Sequence, residues 1–472
     1  MEESKKIYSI VLSVAFASFL ARLNLYTVNV SLPTISHAFN IGTDEASRVV
    51  TMYLLVITTS LMLFGKLSDM TGQKRMFISG YGIFILGSIL CGISTGITTL
   101  IVARSIHGLG SSMLLAASFA IIAKAIPENK LGWAFGINAT ATAIGVAAGA
   151  PLGGIIAEFL SWRGVFLVNI PFGAIAIVCA CKFIPSSVQD RNKITASQLR
   201  HFDFIGAILS FFALYALFYS ANAGSKEGWF SLHVFVSFGL FIIVTFLLIF
   251  YEKKHEDPLL DLDILRNSRF TYALSATTMA YLLIAGNAFL LPFYLELVKG
   301  LGPSRTGMVL LVYSLIYVFV SPYAGKLSDR KNPAVLCVAA MAAAALNTFI
   351  FSYTIKSNGL IAVFIFLALL GFSYVFFLSP INNLAMSFAS KGKEGATSGL
   401  LNTAINLSMV FGVVIFGLIF TESLGDYIRY GISLRQLNIP ASILLKGFSN
   451  IYIAGGFMCL LAMFFSFFAK KQ

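Results

Sequence analysis

Apolar residues run along this chain in long blocks, and short polar stretches separate them at regular intervals. A helix needs about 20 mainly apolar residues to cross a bilayer. Fourteen blocks reach that length, at roughly 8–31, 47–65, 76–95, 99–123, 133–158, 164–184, 204–222, 229–251, 270–296, 306–325, 333–355, 359–388, 396–421 and 447–469. The longest gaps between them are 185–203, 252–269 and 422–446, too short for a soluble domain. The first block starts near Ile7 and continues well beyond the short apolar region of a cleavable signal, so it reads as the first span. The pattern predicts an all-α polytopic membrane protein with 14 transmembrane helices.

Composition sharpens this reading. Only 11% of the residues are charged and 58% are hydrophobic, against about 25% charged in a soluble domain. That excludes an ordinary soluble enzyme, a disordered chain and a nucleic-acid-binding domain. The net charge of +13 comes from 33 Lys and Arg against 20 Asp and Glu. With the N-terminus placed inside, 22 of the 33 cations fall in inside segments and 9 in outside segments, while Arg22 and Arg104 lie within spans. The asymmetry predicts two cytoplasmic termini. The five cysteines lie in apolar runs without a CxxC pair, so neither a disulfide framework nor a zinc site is expected.

The chain also repeats. GKLSDMTGQKR begins at Gly65 and GKLSDRKNP at Gly325, a shift of 260, while Leu32-Pro33 ends the first span and Leu291-Pro292 lies near the end of the ninth, a shift of 259. The halves keep the same sidedness, as in carriers built from two parallel six-helix repeats. The expected organisation is a six-helix bundle over 1–185, two inserted spans with flanking cytoplasmic loops over 186–269, and a second six-helix bundle over 270–472.

Polar residues inside spans are the candidates for function. Arg104 is foremost, because a charge at mid-membrane costs at least roughly 2.5–3.5 kcal/mol and should face a cavity or a partner. His107, Gly108, Ser111 and Ser112 continue a polar stripe at helical spacing. Arg22, Tyr26 and Asn29 share one face of the first span, beside Asn24, and read as lining a cavity, the alternative being inter-helix packing. Asn138, Asn287, Asn382, Asn383, Asn402, Asn406, Tyr313 and Tyr317 bind cargo or join helices. Glu296 ends the ninth span, lining an exit or sitting at the interface. Gly145, Gly149 and Gly153 form a flat face for close packing, with Pro151 bending the helix. Gly65 is expected to let two helices approach, and Asp69 stands beside Lys66, Lys74 and Arg75.

Four stretches resemble one known family in the order it keeps them: GKLSDMTGQKR, IVARSIHGLGSS, GVAAGAPLGG followed by SWRGVFLVNIPFG, and LPFYLELVKGLG. The chain is similar to major facilitator superfamily transporters of the 14-span drug:proton antiporter group. The resemblance implies proton-coupled export of small molecules by alternating access, across a cell membrane, with two bundles rocking about a midplane site. It assigns Arg104 to proton coupling or substrate binding, the alternative being a purely structural arginine. It makes Gly65, Asp69, Arg75, Gly325 and Asp329 a conformational latch, the alternative being a solvated topogenic loop. It makes the Gly145–Gly153 face the antiporter motif, although Ala150 separates Gly149 from Pro151. Family members often carry Asp where Asn24 stands and usually Gln where His107 stands.

No acidic residue falls in the middle of a span, which leaves His107, Glu296 and Glu158 as proton-carrier candidates. The two intramembrane cations favour acidic or neutral cargo over permanent cations. Uptake or lipid flipping on the same fold are the alternatives; a channel or a membrane enzyme is a reading from a different class. No metal-spaced cluster, GxSxG or nucleotide loop is present, so no catalysis, metal or cofactor is expected.

Overall fold

The computed structural model describes residues 2–127, 131–186, 204–227, 230–252, 266–357, 359–386, 388, 394–425 and 440–469. The three long loops expected from the sequence fall largely outside the described residues.

Fifteen α-helices and no strand occur among the described residues. They are α1 (Glu2–Phe39), α2 (Thr43–Thr71), α3 (Gln73–Gly92), α4 (Ile97–Ala125), α5 (Leu131–Phe159), α6 (Ser161–Leu167), α7 (Asn169–Phe183), α8 (Phe204–Glu227), α9 (Leu232–Glu252), α10 (Ser268–Leu297), α11 (Pro303–Arg330), α12 (Pro333–Thr354), α13 (Ile361–Met386), α14 (Glu394–Leu424) and α15 (Ala441–Phe468). Twelve apolar helical stretches are long enough to cross a membrane, with α6 and α7 together making one over Ser161–Phe183. The two further spans expected from the sequence coincide with α2, a 29-residue helix, and α8, whose apolar part is Ile208–Ser220. The chain is an all-helical, multi-pass membrane protein.

Local chemistry sets several helix ends. Asn267 caps α10, its side chain accepting from the backbone of Arg269 at 3.1 Å and Phe270 at 3.4 Å. Asn332 caps α12 with Pro333 in the first turn, where the missing N–H is no loss. Gly72 turns the chain from α2 into α3 at φ 96°, a conformation that favours glycine. Lys74 donates to the carbonyls of Cys181 at 2.8 Å and Ile184 at 2.7 Å, placing a cation at the negative end of α7.

One sequence expectation is corrected here. Leu32-Pro33 does not end its helix: α1 continues to Phe39 with Pro33 inside, whereas Pro292 lies near the end of α10, which stops at Leu297. Proline removes one backbone donor, and a long apolar helix packed by neighbours absorbs that loss.

The chain divides into two units. One comprises Met1–Ser31, Arg48–Ser220 and Phe230–Leu259. Its core is apolar and runs between α1, α3, α4 and α7, through Val11, Val14, Phe77, Tyr81, Phe84, Leu114, Ile122 and Ala180. Glycine brings α3 onto α4: a Cβ on Gly87 would stand 2.5 Å from the Cα of His107. The other unit comprises Leu32–Ser47, Ala221–Trp229 and Leu260–Gln472. Tyrosines tie its helices. Tyr374 donates to the carbonyl of Ala280 at 2.9 Å, Tyr452 to Asn287 Oδ1 at 3.0 Å and Tyr294 to the carbonyl of Ile355 at 2.8 Å.

Candidate functional site

The first unit holds a polar cluster centred on Arg104. Two glycines fix its frame. Gly108 lets α4 approach α2, since a Cβ there would meet the Tyr53 carbonyl at 3.0 Å. Gly87 lets α3 press on His107 in the same way. Arg104 therefore projects among α1, α2, α4 and α6 and is 0% exposed.

Three neutral acceptors meet the guanidinium. Nε donates to the carbonyl of Val49 at 3.1 Å. Nη1 donates to Asn24 Oδ1 at 2.7 Å and lies 3.0 Å from His107 Nδ1. The Tyr53 ring lies 3.9 Å from the guanidinium carbon, and the Phe166 ring 5.6 Å away. A desolvated cation over an aromatic face is stabilised by about 2 kcal/mol. The Tyr53 hydroxyl bonds Ser111 Oγ at 2.8 Å.

The arginine also fixes the histidine. A guanidinium can only donate, so His107 Nδ1 accepts and the ring proton sits on Nε2. Nε2 points to Ser88 Oγ at 3.1 Å, and Ser88 Oγ also accepts from Asn169 Nδ2 at 3.4 Å. A proton added at Nδ1 would set two donors against each other, so protonating His107 requires the Arg104 bond to break. The result is one chain of polar groups joining α1, α2, α3, α4 and α7.

Of the residues singled out in the sequence, Arg104, His107, Asn24 and Ser111 come together here. Arg22 and Tyr26 are half-buried, with their Cβ atoms over α5: a Cβ on Gly145 would lie 3.3 Å from that of Arg22, and one on Gly149 would lie 2.5 Å from that of Tyr26. Gly153 faces the Thr27 Cα at 2.6 Å on the same reckoning. The Gly145–Gly149–Gly153 face thus packs on α1 between Phe19 and Thr27, with Pro151 half-buried beside it. Asn29 and Asn138 are buried in this unit, and Arg75 is exposed.

Asn287, Glu296, Tyr313, Tyr317 and Asn406 belong to the second unit. Asn287 accepts from Tyr452, Glu296 and Asn406 are buried, and Tyr313 and Tyr317 are half-buried. Asn382 is half-buried, and Asn383 donates to Ser328 Oγ at 3.3 Å. The side chains of Lys66, Asp69, Asp329 and Asn402, and the surroundings of Gly325, lie outside the described residues. Among the described residues, a Cβ on Gly65 meets nothing within 4 Å.

Sequence reasoning missed Tyr53, Ser88 and Asn169. Asn169 lies within the SWRGVFLVNIPFG stretch and could have been read as an in-span amide beside a proline. Ser88 is a lone hydroxyl in an apolar run and gives no signal of its own.

A family model described as Major Facilitator Superfamily matches residues 14–413. The chain is 31% identical over 421 residues to a protein named riboflavin transporter RibZ from Clostridioides difficile, covering 89% of this chain and 90% of the relative. It is 28% identical over 408 residues to multidrug resistance protein Stp of Mycobacterium tuberculosis, covering 86% of this chain and 74% of that protein. Among solved structures, a bacterial homolog of the human lysosomal transporter Spinster superposes with a TM-score of 0.68 at 14% identity, covering 98% of this chain and 97% of the other.

Proposed function

This chain belongs to the major facilitator superfamily, and within it we propose a secondary active carrier that exports small molecules in exchange for protons by alternating access. It is a transporter, not an enzyme. The observation that carries the reading at residue level is Arg104, buried completely and bonded at once to α1, α2 and its own helix. An intramembrane arginine is costly to keep, and its usual place is on a substrate or ion pathway. Likeness to proteins named multidrug resistance proteins supports export. Likeness to a protein named riboflavin transporter favours a second reading, uptake of a neutral polar vitamin by the same machinery.

The proposed cargo is acidic or neutral. The only charged side chains buried among the described residues are Arg104 and Glu296, and the cation lies at the polar cluster. Two unit charges about 4 Å apart at an effective dielectric of about 20 interact by about 4 kcal/mol, enough to exclude a permanent cation from a site carrying Arg104. Glu296, Glu158 and His107 are the proposed proton carriers, and the motif residues Gly65, Asp69, Arg75, Gly325 and Asp329 the proposed latch. The proposed span number is fourteen, arranged as 1–185, 186–269 and 270–472.

Reconstituted protein with an imposed pH gradient tests this. Riboflavin and fluorescein are expected to move with the gradient, and ethidium about tenfold more slowly or not at all, a difference of about 1.4 kcal/mol or more. Ethidium transport as fast as fluorescein would remove the charge preference. Cargo flux unaffected by the pH gradient would remove proton coupling.

Orientation has its own test. Both termini are proposed to be cytoplasmic in the cell membrane, which puts residue 260 inside and residue 435 outside. In a cysteine-free background, Arg435→Cys should label with an impermeant thiol reagent on intact cells and Leu260→Cys should not. The reverse pattern inverts the topology.

A further inference from the structure

We propose that the Arg104–Asn24 pair binds a small monovalent anion, held between Arg104 Nη2 and Asn24 Nδ2. A guanidinium carries five N–H groups. Nε uses one on Val49, and Nη1 uses two on Asn24 and His107. Both hydrogens of Nη2 remain, on a buried nitrogen with no hydrogen-bond partner.

Asn24 adds two more. Its orientation is set by Arg104, because a donor-only group must face the amide oxygen. The amide nitrogen Nδ2 is then left buried and without a partner as well. One hydrogen-bonded pair thus presents four unused N–H groups inside a unit where Arg104 is 0% exposed and Asn24 1%. Leaving a buried donor unmade costs about 1–3 kcal/mol, and more when it is charged.

The Tyr53 hydroxyl is paired with Ser111, and Ser88 Oγ with His107 and Asn169. The three acceptors that do reach the guanidinium, a carbonyl, an amide and an imidazole, are neutral. No carboxylate is buried among the described side chains of this unit; the buried Glu296 belongs to the other. The pair therefore lacks an acceptor that also carries one negative charge. Water can accept hydrogen bonds but cannot offset the charge. A halide or a carboxylate group can do both.

The halide would be free in solution, whereas the carboxylate would be part of an organic cargo. The inference takes the Arg104 site of the proposed function one step further by naming its ligand. It is read in detergent without a gradient, so loss of coupled export leaves it standing, and its own failure leaves coupled export standing.

The test is thermal unfolding of the purified full-length protein at constant ionic strength, titrated from sodium sulfate into sodium bromide or sodium acetate. The wild type is expected to show a saturable rise in unfolding temperature. Asn24→Asp places a carboxylate on the guanidinium and should abolish that rise; Asn24→Ala should raise the half-saturating concentration by about tenfold, as expected for one lost hydrogen bond to the anion. A response to bromide identifies a free-ion site, and a response to acetate alone identifies the carboxylate of a cargo. Bromide anomalous density beside Arg104 Nη2 in wild-type crystals gives a reading that does not depend on either variant folding. No saturable response to either anion, or a response unchanged in Asn24→Asp and Asn24→Ala, overturns the proposal.

Discussion

Arg104→Lys is expected to reduce transport by about 100-fold or more while the protein still inserts in the membrane. Lysine keeps the positive charge, so the variant separates charge from geometry. The guanidinium reaches three acceptors on three helices: Val49 on α2, Asn24 on α1 and His107 on its own α4. An ammonium is a compact point charge on a flexible stem and does not reproduce a planar fork. At least two of the three bonds should be lost, each worth about 1.5–3 kcal/mol when one partner is charged. The arginine's position over the Tyr53 ring is lost with them. Since about 1.4 kcal/mol is a tenfold change, two such bonds account for the predicted loss. The measurement is counterflow in proteoliposomes, normalised to reconstituted protein. A rate within about twofold of wild type would show that Arg104 acts only through its charge.

How much of this site the sequence announces depends on whether the signal is local. Arg104 and His107 are three residues apart, so their meeting on one face of α4 follows from helical spacing alone. Asn24 is 80 residues from Arg104 and Ser88 is 19 from His107. Those pairings depend on how α1, α3 and α4 pack, which periodicity does not encode. The cavity reading of Arg22 and Tyr26 meets the same limit: they do share a helix face, but part of that face packs on the α5 glycines. The long apolar blocks and the Gly65 and Gly325 repeats were legible because span length and repetition are properties of the chain itself. Pro33 does not stop α1, because the rule that proline breaks helices assumes no neighbours to compensate. A glycine marks space in the sequence, but sequence does not say whether a neighbour fills that space. Gly87 is covered by His107, whereas a Cβ at Gly65 would meet nothing within 4 Å among the described residues.

That contrast gives the second large effect. Gly149→Leu is expected to abolish transport and destabilise the first unit, whereas Gly65→Leu should leave stability near wild type. A Cβ at position 149 would stand 2.5 Å from Tyr26 Cβ, 3.3 Å from the Leu23 carbonyl and 3.4 Å from the Thr27 amide. Two of those three atoms are backbone, so no rotamer change relieves the clash and α1 must move away from α5. Overpacking of this kind costs about 1–3 kcal/mol and sometimes more, and the rest of the leucine side chain adds to it. The displaced segment, Leu23 to Thr27, contains Asn24, whose amide oxygen lies 2.7 Å from Arg104 Nη1. A shift of α1 by about 1 Å takes that bond beyond hydrogen-bonding distance, so the packing defect and the loss of the polar pair arrive together. Unfolding temperature in detergent and counterflow rate, measured on both variants, decide the point. If Gly149→Leu unfolds and transports like Gly65→Leu, the α1–α5 contact is not what holds Asn24 against Arg104.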